Sequence, residues 1–221
     1  MVAPQLPTTA NEVFEAVSDA VSERAITAIR IVDYDTVDDS RPAGMARVST
    51  TDIEDLTAEL DGATEWLGVA ADEILLAALA RSIARTLGEG TVAVDIASLR
   101  GSMLDAVPLT CVSGREVDAT ELLQGVSAVL AAAKESTAEG MSELYFNYLG
   151  EVPEDAVPVP VQETPPGLGH ALEMRVYRTG GQVHVDWWYD TSQFEPYTVE
   201  ELAEQFPRAL YEMTTDALPT V

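Results

Sequence analysis

Residues 142–150 read Ser-Glu-Leu-Tyr-Phe-Asn-Tyr-Leu-Gly, and this stretch is the most informative part of the chain about its fold. Its aromatic residues and leucines suit the pleated, half-buried surface of a β-strand. Gly150 permits the backbone to turn out of such a strand. Asn147 interrupts the apolar run, and a buried amide must find hydrogen-bond partners. The pattern therefore predicts a strand with one polar position, which is either a satisfied core amide or part of a site.

The motif Phe-Asn-Tyr-Leu-Gly within this stretch resembles the late motif of the condensation and epimerization domains of non-ribosomal peptide synthetases. Those domains belong to the chloramphenicol acetyltransferase-like acyltransferase superfamily. Residues 72–88 look like the helix that opens the C-terminal half of these domains. Residues 171–189 and 198–213 look like their closing hairpin and last helix. The resemblance covers residues 45–221, which corresponds to half of a family domain.

The resemblance implies a site around Asn147. In the epimerization branch, the residues that match Asn147 and Tyr148 line the channel in which a carrier-bound aminoacyl group is handled. An arginine near the position of Arg100 steadies the family's histidine motif, although the local order Leu-Arg-Gly departs from the family pattern. We therefore expect Asn147, Tyr148 and Arg100 to border a substrate channel or a partner groove. No cofactor is expected on the chain itself, and the phosphopantetheine of a carrier protein would be brought by a partner.

Strands that alternate with capped helices predict an α/β fold, with a mixed sheet and helices packed on one face. The resemblance specifies this fold as a single chloramphenicol acetyltransferase-like lobe. Residues 72–87 are apolar on more than one stripe, which indicates a largely buried helix. Asp118 and Glu121 have the spacing of a capping box, and Thr198 and Glu201 repeat it before the last helix. Residues 171–189 alternate around a Gly-Gly turn and predict a hairpin.

The chain divides at a polar, Pro- and Gly-containing segment, residues 33–44. We predict an N-terminal extension over residues 1–44, with a helix, a strand at residues 25–34 and then a loop. Residues 45–221 form the C-terminal lobe that resembles a condensation domain. Within the lobe, residues 151–169 contain five prolines and are expected to be an extended surface loop.

The composition restricts the possible partners. The 221 residues include 12 Lys and Arg against 38 Asp and Glu, a formal net charge of −26. Such an imbalance argues against nucleic acid or an anionic membrane as a partner, since phosphate contacts need clustered cations. The single cysteine, Cys111, excludes an internal disulfide and a cysteine-based zinc site, and its apolar surroundings predict a small buried side chain. Without a signal-like start or a long apolar stretch, we predict a cytoplasmic location.

A catalytic base is not evident from the sequence. Proton transfer needs a positioned base, most often histidine, and the family carries its base in a His-His-x-x-x-Asp-Gly motif that this chain lacks. His170 and His184 are the only histidines, and neither has a motif-like setting. Ala97 stands about where epimerization domains place a glutamate, and no metal-ligand spacing is present. We therefore treat the two histidines as weak candidates and predict no metal.

The sequence leaves three functions open. The first is a catalytically incomplete half domain, an accessory or interaction protein in non-ribosomal peptide or related lipid or polyketide biosynthesis. A homodimer, a complementary N-terminal lobe or a synthetase module would cover the surface that a lone lobe exposes. The second is an acyltransferase or epimerase-like enzyme whose channel is completed by a second subunit or partner lobe, with His170 or His184 recruited as base. The third is a fragment of a larger synthetase, and we favour the first.

Overall fold

The computed structural model describes residues 27–34, 44–50, 56–97, 103–134, 142–153 and 169–219. These residues contain, in chain order, β1 (Met45–Ser49), α1 (Thr57–Leu67), α2 (Ala71–Thr86), β2 (Gly90–Ala97), β3 (Leu104–Cys111), α3 (Ala119–Ala133), β4 (Leu144–Glu151), β5 (Leu172–Thr179), β6 (Gln182–Asp190) and α4 (Pro196–Asp216). The strands form one sheet in the order β1-β6-β5-β4-β2-β3. Strand β4 is parallel to β2 and β5, and the other pairs are antiparallel. The predicted α/β fold with a mixed sheet is confirmed.

One face of the sheet carries the hydrophobic core. Successive side chains of a strand point to opposite faces, so residues that pair across strands share a face. An apolar row crosses five strands on this side: Ile96, Phe146, Met174, Trp187 and Val48. The ring of Trp187 meets Phe206 of α4 edge to face, with centroids 5.8 Å apart. This contact packs an aromatic residue of β6 under the last helix.

Helix α2 is the most deeply buried helix of the described part of the chain. Every residue from 72 to 84 is buried, because α2 lies against α3, α4 and β3. Small alanine side chains let these elements approach closely. Gly88 follows the helix with a φ of 109°, a conformation that suits glycine. The prediction of a mostly buried helix here is confirmed.

Two further local predictions are confirmed. Asp118 accepts a hydrogen bond from the backbone of Glu121, and the Glu121 side chain accepts one from the backbone of Asp118, which completes the capping box of α3. Gly180 and Gly181 have φ values of 60° and 80° between β5 and β6. Two consecutive residues with positive φ match the tight turn that favours a hairpin.

The predicted cap of the last helix is wrong. Helix α4 begins at Pro196, two residues before Thr198, and no side chain of its own N-cap residue closes it. The carboxylate of Asp33 instead accepts a hydrogen bond from the Glu195 amide at 2.7 Å and from the Thr198 hydroxyl at 3.0 Å. Proline needs no partner for a missing N–H, so it suits the first turn. A residue from far upstream therefore performs the capping.

The prediction of a strand at residues 25–34 is also wrong for residues 27–34, the part of this range that the structure describes. Residues 27–34 form a single parallel bridge, between Ala28 and Thr91. Strand β4 pairs with β2 only from Val94 onward. The β2 backbone at Thr91 is therefore not paired with β4, and Ala28 pairs with it there instead. Beyond it the chain leaves the sheet, because Ile31 is buried in the core and Asp33 binds α4.

The rest of the predicted N-terminal extension lies largely outside the described residues. This holds for the predicted helix and for residues 35–43 of the predicted loop. Residues 154–168 of the proline-rich segment also lie outside them. The boundary at residue 44 stays a prediction.

The fold rests partly on one buried cation, Arg81 of α2, whose side chain is 0% exposed. Its Nη1 and Nη2 donate to the carbonyl oxygens of Val112 and Val117 at 2.6 and 2.7 Å, and its Nε lies 3.1 Å from Glu212 Oε1. We predict that Arg81→Met lowers the free energy of unfolding by about 3 kcal/mol, because it leaves two buried carbonyl oxygens without their donor and removes one of the two cations that pair with Glu212. Urea denaturation followed by circular dichroism measures this loss.

The matched control is Arg85→Met. Arg85 pairs with the same Glu212 carboxylate but is 30% exposed, and an exposed pair contributes about 1 kcal/mol or less. If the two variants lost the same free energy of unfolding, the hydrogen bonds from Arg81 to the buried carbonyl oxygens would not contribute to stability.

Candidate functional site

The face of the sheet opposite the apolar row is polar. Asp95, Tyr145, Glu173, Trp188 and Arg47 pair in register across five strands. The next row consists of Ala97, Asn147, Arg175, Asp186 and Ser49. We call this surface, together with Tyr177 and His184 of the following row, the polar face.

A buried ion pair occupies the centre of the polar face. Arg175 Nε and Nη2 donate to the two carboxylate oxygens of Glu173 at 2.9 and 3.1 Å. Asn147 Nδ2 donates to Glu173 Oε1 at 2.9 Å. The guanidinium of Arg175 also lies 5.6 Å from the centre of the Trp188 ring, a cation–π distance. The charge-assisted bonds fix the side chains of Asn147, Glu173 and Arg175 in one arrangement.

A second carboxylate, Asp186, organises the side of the polar face toward β1. It accepts hydrogen bonds from the Ser49 hydroxyl at 2.6 Å and the Tyr177 hydroxyl at 3.0 Å. Arg47 Nη1 lies 3.7 Å from the same carboxylate. Burial and the negative charge of Asp186 raise the pKa of Tyr177, so the phenol keeps its proton. The ring of His184 stacks on Tyr177, with centroids 5.3 Å apart.

Asp95 and His170 form a close pair at the opposite end of the polar face. His170 Nε2 lies 2.7 Å from Asp95 Oδ2. The other carboxylate oxygen of Asp95, Oδ1, accepts hydrogen bonds from the Ala106 amide and the Ser142 hydroxyl, both at 2.7 Å. Burial pushes the pKa of Asp95 up, but the hydrogen bonds from Ala106, His170 and Ser142 outweigh burial and hold that pKa below its usual range. Asp95 is therefore an ionised hydrogen-bond acceptor.

The ring of His170 is fixed in place. It stacks on Tyr145 with centroids 4.9 Å apart and an interplanar angle of 16°. The side chain is 9% exposed. Its second nitrogen, Nδ1, is buried and has no hydrogen-bond partner among the described residues. His170 is thus neither a solvated nor a fully satisfied histidine, and buried polar atoms without partners are uncommon enough to need an explanation.

The structure separates two residues that the resemblance brought together. Asn147 lies on the polar face, whereas its neighbour Tyr148 points to the other side of β4 and packs against the edge of the core. Tyr148 is also in hydrogen-bond contact with Arg178 there. The two side chains therefore do not line one groove, since consecutive strand residues face opposite ways. Arg100 lies outside the described residues, and the role of Asn147 in a channel stays a prediction.

Sequence reasoning missed Asp95, Glu173 and Arg175. Asp95 is the one charged residue in the apolar strand β2. Glu173 and Arg175 lie two residues apart in β5, so their side chains share one face of that strand. A carboxylate inside an apolar strand is rarely buried unless it is paired, so Asp95 carried a usable signal. The partner of Asp95 was not readable, because His170 lies 75 residues away along the chain.

Two other kinds of feature are absent from the described residues. No cluster of three or more His, Cys, Asp or Glu side chains there has the arrangement of a metal site. Within the same ranges, none of the helices has the length and apolar character needed to span a membrane. Cys111 is buried, and burial raises the pKa of its thiol, so it is an inert core residue as predicted.

We predict that Asp95→Asn lowers the free energy of unfolding by about 1–2 kcal/mol at pH 7, because three donors lose an ionised acceptor. A carboxyl whose pKa is lowered on folding stabilises the protein above its unfolded pKa of about 3.9, and that contribution is lost as the pH falls through the folded pKa. The difference between wild type and variant should therefore shrink below about pH 4.

Urea denaturation between pH 7 and pH 3 measures this pH dependence. Asp105→Asn, an exposed carboxylate on β3, is the control and should have little effect at any pH. A constant difference across this range would contradict the assigned ionisation of Asp95.

No family model matches the sequence. Among curated proteins, the chain is similar to a phenolphthiocerol/phthiocerol polyketide synthase polypeptide of Mycobacterium tuberculosis, with 33% identity over 219 residues that cover 79% of this chain. The corresponding protein of Mycobacterium bovis matches equally well. The chain spans 15% of the length of these relatives.

Solved structures show the same fold. The epimerization domain from the third module of tyrocidine synthetase B matches 94% of this chain and 56% of its own, with a TM-score of 0.59 and 14% identity. The condensation domain of the monacolin K polyketide synthase matches 99% of this chain and 64% of its own, with a TM-score of 0.57 and 10% identity. The resemblance found at residues 142–150 is therefore confirmed: the chain has the fold of the condensation and epimerization domains of non-ribosomal peptide and polyketide synthases, and it is similar to the C-terminal half of one.

Proposed function

We propose that this chain is one lobe of a condensation-type domain in polyketide or non-ribosomal peptide biosynthesis, and that it acts by joining a complementary lobe or synthase module. The main support for this proposal is that the chain is about half as long as the domains it resembles. The match to the solved epimerization domain uses 94% of this chain but only 56% of that domain. In the family that the sequence resembles, the reaction channel lies between two lobes. A second copy, a separate partner or further residues of the same polypeptide would supply the other lobe.

The relatives favour a polyketide setting. The mycobacterial protein similar to this chain is part of a polyketide synthase, and the matching segment is a small part of it. One of the structural neighbours is a condensation domain that mediates chain release from the enacyloxin polyketide synthase. By analogy, a synthase module is the most fitting partner for this lobe.

The absence of one motif from the sequence supports an accessory role for the lobe. The His-His-x-x-x-Asp-Gly motif that supplies the base in the resembled family is absent from all 221 residues. A lobe without that motif depends on a partner for that base. Its own contribution to the channel is then to position the chain being processed and to close one side.

The partly exposed margin of the polar face is the surface that we assign to the partner, since the centre of that face is buried. The helix-covered face holds the core and is not available for a second lobe. At the margin of the polar face, Asn147 and His184 are half-buried and the Arg47 side chain is 34% exposed. A cation here, on a chain with a net charge of −26, gives an acidic partner group one favourable point of approach.

The test is co-elution with polyketide and non-ribosomal peptide synthase polypeptides from the same source, followed by size-exclusion chromatography with light scattering. The same chromatography of the chain alone detects a homodimer. We predict a complex in one of the two experiments, and that Asn147→Leu and Arg47→Gln each weaken it by about 1 kcal/mol, the loss that separates an interface residue that contributes to binding from a neutral one.

Arg208→Gln, an exposed arginine on α4, is the matched control and should leave the complex unchanged. All three variants are first compared by thermal unfolding. A chain that stays monomeric and binds no synthase polypeptide would contradict the proposed function. A complex that tolerates both polar-face variants would contradict the assigned surface.

A further inference from the structure

Five exposed residues form one line along the outer side of helix α4, the side that faces away from the core. They are Tyr197, Glu200, Glu204, Arg208 and Tyr211, and we call this line the α4 stripe. Spacings of three and four residues place side chains on one face of a helix. We propose that the α4 stripe is a self-association surface, on which the same stripe of a second copy of this chain docks in antiparallel orientation. The proposal does not depend on the proposed function.

The two tyrosines at the ends of the α4 stripe are unusually exposed for side chains of their size. Tyr197 is 70% exposed and Tyr211 is 55% exposed. Tyrosine is enriched at binding surfaces, because its ring buries a large area while its hydroxyl group stays at the edge of the contact. In a single copy most of both side chains faces solvent, whereas in a dimer the two rings would be covered.

The order of the residues makes the α4 stripe complementary to itself. Glu204 is its midpoint, because Glu200 and Arg208 lie four residues to either side of it and the two tyrosines lie seven residues to either side. A twofold axis at Glu204 therefore sets Tyr197 against the partner's Tyr211 in an antiparallel pair of helices. The same axis sets Glu200 against the partner's Arg208, and each of these contacts forms twice.

The packing geometry of helices permits this arrangement. Glu200, Glu204 and Arg208 are spaced four residues apart, so they form one ridge of α4. Two ridges of this kind pack together in the commonest class of helix pair, with the helix axes crossing at about −50°. Glutamate and arginine have long side chains that reach across such a crossing, and the planar guanidinium binds a carboxylate through two parallel hydrogen bonds.

The distribution of charge selects a second copy as the occupant. Arg208 is exposed, and none of the described residues forms an ion pair with it, although the chain carries a formal net charge of −26. An acidic partner would be repelled by Glu200 and Glu204, and a basic partner would be repelled by Arg208. The α4 stripe of a second copy instead supplies a carboxylate for each Arg208 and a cation for each Glu200.

Two features limit the strength of this dimer. Glu204 lies on the twofold axis and faces the partner's Glu204, and like charges placed opposite each other weaken binding. One helix face per copy is also smaller than an interface of about 1,200 Å², the lower limit for stable complexes. We therefore expect a weak dimer, which dissociates at about 1 μM protein and forms at about 0.1 mM or above.

The second copy leaves the polar face open. Helix α4 covers the apolar side of the sheet, where Phe206 meets Trp187, and the α4 stripe lies on the outer side of that helix. The margin of the polar face is on the other side of the sheet. A dimer through α4 can therefore bind a synthase polypeptide with both copies, and the two kinds of contact are tested separately.

Sedimentation equilibrium at protein concentrations up to about 1 mM measures the self-association. Glu200→Arg and Arg208→Glu each set like charges against each other twice, so each should raise the dissociation constant of the dimer by about 10-fold or more. The chain that carries both substitutions has the two ion pairs reversed and should dimerise like the wild type. An equimolar mixture of the two single variants should also form dimers, because every facing pair of these two positions is then opposite in charge.

Asp105→Arg is the matched control. It makes the same change in charge as Glu200→Arg at an exposed position of β3, and it should keep the dissociation constant within about twofold of the wild type. Glu204→Gln removes the repulsion on the axis and should lower the dissociation constant by about threefold or more. Thermal unfolding first confirms that each variant is folded.

The outcomes decide the proposal in either direction. Loss of the dimer in both single variants, with recovery in the double variant and in the mixture, supports it. A wild type that is monomeric at about 1 mM overturns it, and so does a dimer that the single variants retain or the double variant fails to recover. If a single variant does not fold, Glu204→Gln decides, and an unchanged or weaker dimer contradicts the antiparallel register. Binding of a synthase polypeptide at the polar face should be the same in all of these variants, so failure of this proposal leaves the proposed function standing.

Discussion

The alternation of side chains along β2, β4, β5 and β6 is the constraint on which the rest of the structure depends. It places one row of apolar residues under the helices and the charged rows on the opposite face of the same sheet. A shift of one residue in any central strand would move its charges into the core. The ion pair of Glu173 with Arg175 and the pair of Asp95 with His170 therefore specify the register as well as forming the candidate site.

Much of the fold was predictable because its signals are local. The Gly-Gly turn sets the hairpin, and the capping box of Asp118 and Glu121 sets the start of α3. The last helix was the exception, since its N-terminus is capped by Asp33, which lies 165 residues before Thr198 in the chain. Ile31 likewise left a predicted strand for the core. Contacts between distant segments overrode local preference in both places.

The candidate site was less predictable than the fold. Asn147 was identified from a motif, and the structure gives it a definite partner in Glu173. The motif also suggested Tyr148, which strand geometry places on the other face. His170 carried no local signal, because its chemistry comes from Asp95 and Tyr145 on two other strands. Sequence patterns mark which residues share a face of one strand, but they do not show which strands become neighbours.

Asp95 and His170 act as one unit on the polar face, because their side chains are in direct contact. A double-mutant cycle with Asp95→Asn, His170→Gln and the combined variant, followed by urea denaturation at pH 7, measures the coupling between them. We expect a coupling energy of about 1.5 kcal/mol or more, in the range found for residues in direct contact. Additive losses, with a coupling energy near zero, would show instead that the two side chains stabilise the protein independently.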